Sequence, residues 1–460
     1  MPSDKPLHQP IVLLGAGLAG LSTAFHLEQS GYSEYYRLYE QADQSGGLCR
    51  SVRHGPFTLD YQGHVLHFSD PRIARLVKRL LRHNLQRHRR RAWVYAHGAY
   101  LAYPFQGHLS GLPPRVLAEC LAGRSFAFGS AVLPDGQSFD EWASLTFGDG
   151  IARHFLLPYN NKLWRVPLRQ LTARWVTPFV PVPSLDATIG GALEHSNRQY
   201  GYNATFWYPR EGGIGALARA FERVIRPIKF HRCAVAIDWR RKRVVFQNGQ
   251  QVEYDYLASS VPLVVLGQLL APLPSSVNSW WRRLRYTSVV AVHVAVRSRQ
   301  PIEHRHWVYF ADPSISFFRV GFPGTLSDRS SPAGTSLLYV EVAVSPEHQL
   351  SLNTVADQVV IDLQRVGLIG DLQDVILQYP VAIPFAYIVY DREHHEATKG
   401  IHQFLREQGI WSIGRYGRWR YTTMEDAIRD GRDAAEDLAR RVDHRQSELR
   451  DDKVPAAVAY

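Results

Sequence analysis

The sequence predicts an α/β protein: a parallel-sheet domain assembled from separated stretches of chain, interrupted by a mainly helical insertion and by an antiparallel β-sheet domain. Three observations predict it. A strand–glycine turn–helix–strand unit opens the chain. Strand-like segments return at Tyr254–Pro262 and Ile410–Gly417, where they can rejoin the same sheet. Between them, from about 276 to 397, β-rich segments dominate, including Val289–Val294 and Leu337–Val342. The expected division is 1–70, 204–275 and 398–445 for the discontinuous domain, 71–203 for the insertion, 276–397 for the antiparallel sheet and 446–460 for a loose tail.

Each element has a local reason. Ile11–Leu14 is a short apolar run fit for a buried parallel strand. Gly15, Gly17 and Gly20 follow, then a helical pattern (Leu21, Ala24, Phe25, Leu27) that stops at Gly31. A second strand, Tyr36–Tyr39, ends at Glu40. This is the arrangement of a Rossmann-type dinucleotide site: Gly15 permits the tight turn, Gly17 lets backbone approach a pyrophosphate, and Gly20 lets helix pack on strand. The helix N-terminus presents unpaired N–H groups to the phosphates, and Glu40 can accept hydrogen bonds from an adenosine ribose. Gly46-Gly47 lets backbone pass close to an extended cofactor, which favours FAD over NAD, and Gly63-His64 then forms a turn beside the isoalloxazine.

Residues 71 to about 200 read as mostly helical with proline breaks. Gly212-Gly213-Ile-Gly215 opens another helix, and Asn248-Gly249 marks a hairpin after the strand Cys233–Ile237. An amphipathic helix from Met424 to about Arg441 closes the fold.

Composition excludes several classes. With 45% hydrophobic and 21% charged residues the chain is neither disordered nor fibrous. Its three cysteines (Cys49, Cys120, Cys233) are widely spaced without a CxxC pair, so neither a disulfide framework nor a structural metal site is expected. No apolar run is long enough to span a membrane, and MPSDKPLHQP lacks a signal-peptide core, so a cytoplasmic location is expected. The net charge of +11 is concentrated between Arg72 and Arg91, with nine Arg or Lys and no acid. Such a run can hold nucleic acid, anionic lipid or a phosphorylated small molecule. Ile73, Leu76, Val77, Leu80 and Leu81 recur at helical spacing, which favours a solvated helix face with neither a nucleic-acid nor a membrane partner.

Several motifs together resemble UDP-galactopyranose mutases, particularly the eukaryotic-type branch, within the wider FAD family of protoporphyrinogen and amine oxidases. The shared cofactor segments are LGAGLAGLSTA, EQADQSGGLCR and QGHVLHFS; closer to the mutases are Tyr103–Gln106, Phe155–Trp164 and Gly414–Tyr421. The resemblance implies FAD contacts at Leu48, Val235, Gly414, Arg415 and Met424 besides the glycines and Glu40. It implies a nucleobase site in the insertion built from Tyr103, Phe105, Gln106, Phe155, Asn160 and Trp164. Arg319 with Tyr309, Tyr387 and Tyr421 would hold a diphosphate, Asn203 would lie near the sugar, and Arg415 and His64 beside the flavin. The implied reaction converts pyranose to furanose forms of UDP-galactose or a related sugar nucleotide, the N5 of reduced FAD attacking the anomeric carbon. An external reductant such as NAD(P)H would first charge the flavin. Two positions depart from the family pattern: Phe179 stands where a flap arginine is expected, with Arg174 the nearest arginine, and Leu326 replaces an aromatic residue. The alternative is a FAD-dependent oxidase or dehydrogenase acting on another substrate.

Overall fold

The computed structural model describes residues 10–127, 136–176, 179–194, 199–201, 203–298, 304–348 and 351–451. A four-stranded sheet carries the expected unit, in the order Ile410–Ser412, Tyr256–Ser259, Ile11–Leu14, Tyr36–Tyr39, with all neighbours parallel. Ile11–Leu14 is buried along its whole length, as a strand covered on both faces must be. Its side chains alternate between two cores. Ile11 and Leu13 meet the helices Leu18–Gln29, Gly215–Glu222 and Met424–Asp451. Val12 and Leu14 meet the three-stranded sheet of Ala234–Asp238, Arg243–Phe246 and Gln251–Glu253.

A seven-stranded sheet forms the second layer, in the order Val375–Ile388, Tyr286–Arg297, Thr335–Val344, Arg319–Gly321, Trp307–Phe310, Ala92–Ala96, Ala99–Ala102. It is antiparallel except where Trp307–Phe310 runs parallel to Ala92–Ala96.

Three differences from the sequence reading have physical causes. The stretch expected to be mainly helical from residue 71 contributes two strands to this sheet. Ala92–Ala96 alternates buried and half-buried, the period of a strand, and His97-Gly98 turns it back with both residues at positive φ (52° and 77°). The β-rich stretch contains the helix Leu352–Arg365, whose Val355, Val359 and Leu363 cover one face of the sheet. The closing helix runs to Asp451, beyond Arg441, so 446–451 is helical rather than loose; the rest of the expected tail, 452–460, lies outside the described residues.

The insertion helices Pro114–Phe126, Phe139–Ile151, Leu157–Trp164 and Leu185–Leu193 form their own core. The second starts at a capping box between Ser138 and Glu141. In the basic run, Pro71–Leu81 is helical with Ile73, Leu76, Val77 and Leu81 inward and Arg75 and Arg79 exposed, as expected. Arg90 departs from the solvated reading: it is 2% exposed.

Candidate active site

A cavity of about 930 Å³ runs from the first glycine turn to the seven-stranded sheet. At one end the two glycine segments are joined. Gly46 N–H donates to the Ala16 carbonyl at 2.8 Å, and Gly46 bridges to Gly17. A Cβ on Gly47 would come within 3.3 Å of the Gly17 Cα, so both backbones need to be bare there. Gly15, at φ 91°, would put a Cβ 2.4 Å from Ser260 Oγ. Gly20 does not line the cavity; its Cα packs under the turn, where a Cβ would meet the Gly15 carbonyl at 2.0 Å. Glu40 lines the wall and accepts from Ala16 N–H (2.7 Å) and Ala42 N–H (2.9 Å). The acid thus also fastens the glycine loop.

Leu48, Gly414, Arg415 and Met424 line the cavity. Val235 does not. Its side chain is about half exposed, on the strand face away from the wall, and the neighbouring Cys233 and Ala234 face the cavity instead.

At the middle of the cavity His64 and Arg415 stand close enough to interact. Burial, then Arg415 and Arg319, push the His64 imidazole down to about 3, so it is neutral at ordinary pH. Arg415 donates to the Ala386 carbonyl at 3.0 Å and lies 4.4 Å from the Tyr421 ring centroid. Its Nε, the His64 Nδ1 and the Thr422 Oγ1 are buried without a hydrogen-bond partner. Unpaired polar atoms along an enclosed wall are costly unless a ligand meets them.

At the far end Arg319, Tyr309, Tyr421 and Asn203 line the chamber. Arg319 is not a free cation: its Nε donates to Glu341, which lies directly across from it in the strand register and is fully buried. Tyr339 OH donates to the other Glu341 oxygen at 2.9 Å. The carboxylate therefore fixes the guanidinium and leaves its two Nη groups for a ligand. Glu341 escaped the sequence reading, although a single acid inside the apolar strand LLYVEVAV was the available signal. Arg90 escaped too. It donates to Asn203 Oδ1 and to the Tyr200 carbonyl, and its guanidinium sits 4.7 Å from the Tyr103 ring centroid. His306 was a further omission. It lines the cavity with Nδ1 accepting from Arg91 N–H at 3.0 Å, and burial holds it neutral, at about 3.

The residues expected at a nucleobase are placed differently. Phe105, Gln106, Phe155, Asn160 and Trp164 lie in the insertion core rather than in the cavity wall. Phe105 stacks on Phe155 at 5.0 Å, and Gln106 Nε2 donates to the Pro181 carbonyl at 2.7 Å. Asn160 bonds the Leu156 carbonyl and receives Trp164 Nε1 at 3.0 Å. Their polar groups are spent on holding the helices together. Tyr103 is half-buried against Tyr309 at 5.2 Å, just behind the wall. Tyr387 is likewise one layer back, between Trp164 and Tyr421. Phe179 meets the Tyr421 ring edge-on at 4.6 Å, whereas Arg174 is exposed and outside the wall. Leu326 lines the cavity.

The model of the flavin-containing amine oxidoreductase family matches residues 18–439. The chain belongs to that family. Its cofactor is FAD. A solved structure of reduced UDP-galactopyranose mutase is 27% identical to it, with 94% of each chain covered and a TM-score of 0.87. Two more distant structures share the fold. A protein from Exiguobacterium sp. 255-15, provisionally named a protoporphyrinogen oxidase, is 15% identical (TM-score 0.72, 93% and 98% covered). A fatty acid isomerase from P. acnes is 13% identical (TM-score 0.63, 94% and 99% covered). The bare glycine cradle and the unpartnered atoms of Arg415, His64 and Thr422 suit an extended FAD. The glycine turns and Glu40 would hold its adenosine and pyrophosphate, and Leu48, His64, Gly414, Arg415 and Met424 its ring end. Among the described residues, no cluster suited to a metal ion occurs and no helix is long and apolar enough to cross a membrane.

Proposed function

We propose that the protein interconverts the pyranose and furanose forms of a UDP-sugar, UDP-galactose or a close relative, on reduced FAD. The observation that carries this reading is the chamber at the ring end of the cavity. One wall offers a fixed arginine with two free donor groups and two tyrosines, the chemistry of a diphosphate site; the likeness to a mutase over 94% of both chains supports it. When bound and reduced, the flavin supplies the nucleophile for the anomeric carbon. Arg319, oriented by Glu341, and the hydroxyls of Tyr309 and Tyr421 take up the charge of the departing diphosphate and keep it in place for return. Arg415 carries a positive charge beside the ring and favours its anionic reduced state. His64, held neutral, completes the wall without adding charge. Asn203, pinned by Arg90, contacts the sugar. NAD(P)H is the proposed reductant.

The test is chromatography of UDP-galactose incubated anaerobically with dithionite-reduced enzyme. A furanose product that is absent with oxidised enzyme supports the proposal. Substrate-dependent bleaching of the oxidised flavin, with no furanose formed, would favour a FAD oxidase or dehydrogenase instead.

A further inference from the structure

The basic run is not absorbed by the active site, and the structure sorts its members. Arg72 pairs with Asp70, Lys78 lies over the Trp207 ring, and Arg90 is buried against Asn203. Arg79 and Arg82 have no side-chain hydrogen bond or ion pair among the described residues. Together with Arg223 they line a second recess of about 620 Å³, within the size range of small-molecule sites. Among the described residues Arg223 likewise has no ion pair with an acid, and Arg219, another cation, lies near it.

Three elements meet at the recess: the C-terminal ends of Leu18–Gln29, Pro71–Leu81 and Gly215–Glu222. No acid lines it; its other polar groups are His83 and the amides of Gln29 and Asn84, over an apolar floor that includes Phe25. The loop is fixed. Arg82 closes its helix in the left-handed region (φ 51°), its N–H donating to the Lys78 carbonyl. Two residues on, Asn84 bonds both the N–H and the carbonyl of Glu211. Basic residues near helix C-termini are favourable one helix at a time. The helix carbonyls offset part of their charge, and three guanidinium groups on one concave surface with no acid in its lining leave a positive excess that an anion would neutralise.

We infer that this recess is a second site, apart from the cofactor cavity, for a phosphate-bearing small molecule seated by Arg79, Arg82 and Arg223. Its phosphate oxygens accept from the guanidinium groups, and its apolar part lies toward Phe25. The helix Leu18–Gln29 links the two sites, with its N-terminal end at the glycine turn and its C-terminal end at the recess.

The experiment is calorimetric titration of FAD-loaded protein with inorganic tripolyphosphate, comparing wild type, R79Q/R223Q and R319K. All the altered recess side chains are exposed, and the flavin absorbance spectrum checks that folding and cofactor are retained. The inference expects a saturable event that weakens tenfold or more in R79Q/R223Q and persists in R319K, separate from any binding in the main cavity that R319K weakens. Binding lost in R319K but kept in R79Q/R223Q would put the anion in the main cavity and overturn it. So would no binding at all, or binding of RNA or anionic vesicles that tripolyphosphate does not displace. None of these readouts depends on mutase activity.

Discussion

The glycine cradle and the helical insertion differ in what their residues are free to do. In the cradle, Gly15, Gly17, Gly46 and Gly47 expose bare backbone to the cavity, and the nearby His64 and Arg415 keep buried polar atoms unpaired. In the insertion, Asn160 and Trp164 have bonded each other, and Gln106 and Asn160 have bonded nearby backbone carbonyls. The amides and the indole of the insertion therefore act as scaffold, while backbone and side-chain atoms of the cradle remain available for a ligand. What separates these particular side chains is whether their polar atoms are paired: a buried donor left unsatisfied costs about 1–3 kcal/mol, which a ligand can offset.

The largest expected effect sits where the two regions meet. Arg319→Ala leaves the fully buried Glu341 without its cation, a loss of about 3–5 kcal/mol, and removes the diphosphate contact as well. Both melting temperature and UDP affinity should fall; Arg319→Ala paired with Glu341→Gln should recover stability but not UDP binding. Recovery of both would remove Arg319 from the ligand site.

Next, Trp164→Ala should destabilise by about 3–5 kcal/mol, as for a fully enclosed core aromatic. Urea unfolding and UDP titration separate the two roles. A stable variant with selectively weaker UDP binding would return Trp164 to the nucleobase and erase the contrast between the regions.

The comparison also explains what was legible in the sequence. The cradle was readable because its requirements are local: a glycine at a fixed offset from a strand, an acid after the next strand. The parallel sheet followed from apolar runs of the right length. Arg319 was reachable through a short motif, but its partner Glu341 lies 22 residues away and becomes its neighbour only through strand register. For the insertion aromatics the sequence left base contact and core packing open, because a stacking ring and a packing ring have the same signature; the surrounding helices pack them in the core. Arg90 was hidden inside a run of nine cations, most of them exposed or paired locally.

A smaller effect is pH dependence. Burial holds His64, His293 and His306 down to about 3 from an ordinary value of 6.5. The unfolded chain binds their protons more readily, so their contribution is complete above pH 6.5 and is lost as pH falls toward 3. Asp60 opposes this: burial raises it to about 6, so its ionisation costs stability as pH rises from 3.8 to 6. Burial also lowers His402, to about 4, and raises Asp430, so the lowered histidines outnumber the raised aspartates and the melting temperature should fall as the medium is acidified below pH 6.5. A flat profile from pH 6.5 to 4.5 would contradict the burial of these imidazoles.

The smallest effect concerns the boundary itself. Phe179 lies edge-on to Tyr421 at the chamber. Phe179→Arg adds a cation there and should tighten UDP binding by about tenfold in calorimetry, the lower end of a charge-assisted contact. Unchanged affinity would mean that this side chain does not reach the diphosphate.

The most direct test of the central claim counts products against electrons. Enzyme reduced once, anaerobically, with one equivalent of dithionite is given excess UDP-galactose, and furanose formed per flavin is measured until turnover stops. The account predicts many products per flavin with the flavin still reduced at the end. A yield of one product or fewer per flavin, or reoxidation of the flavin in step with product, would contradict it.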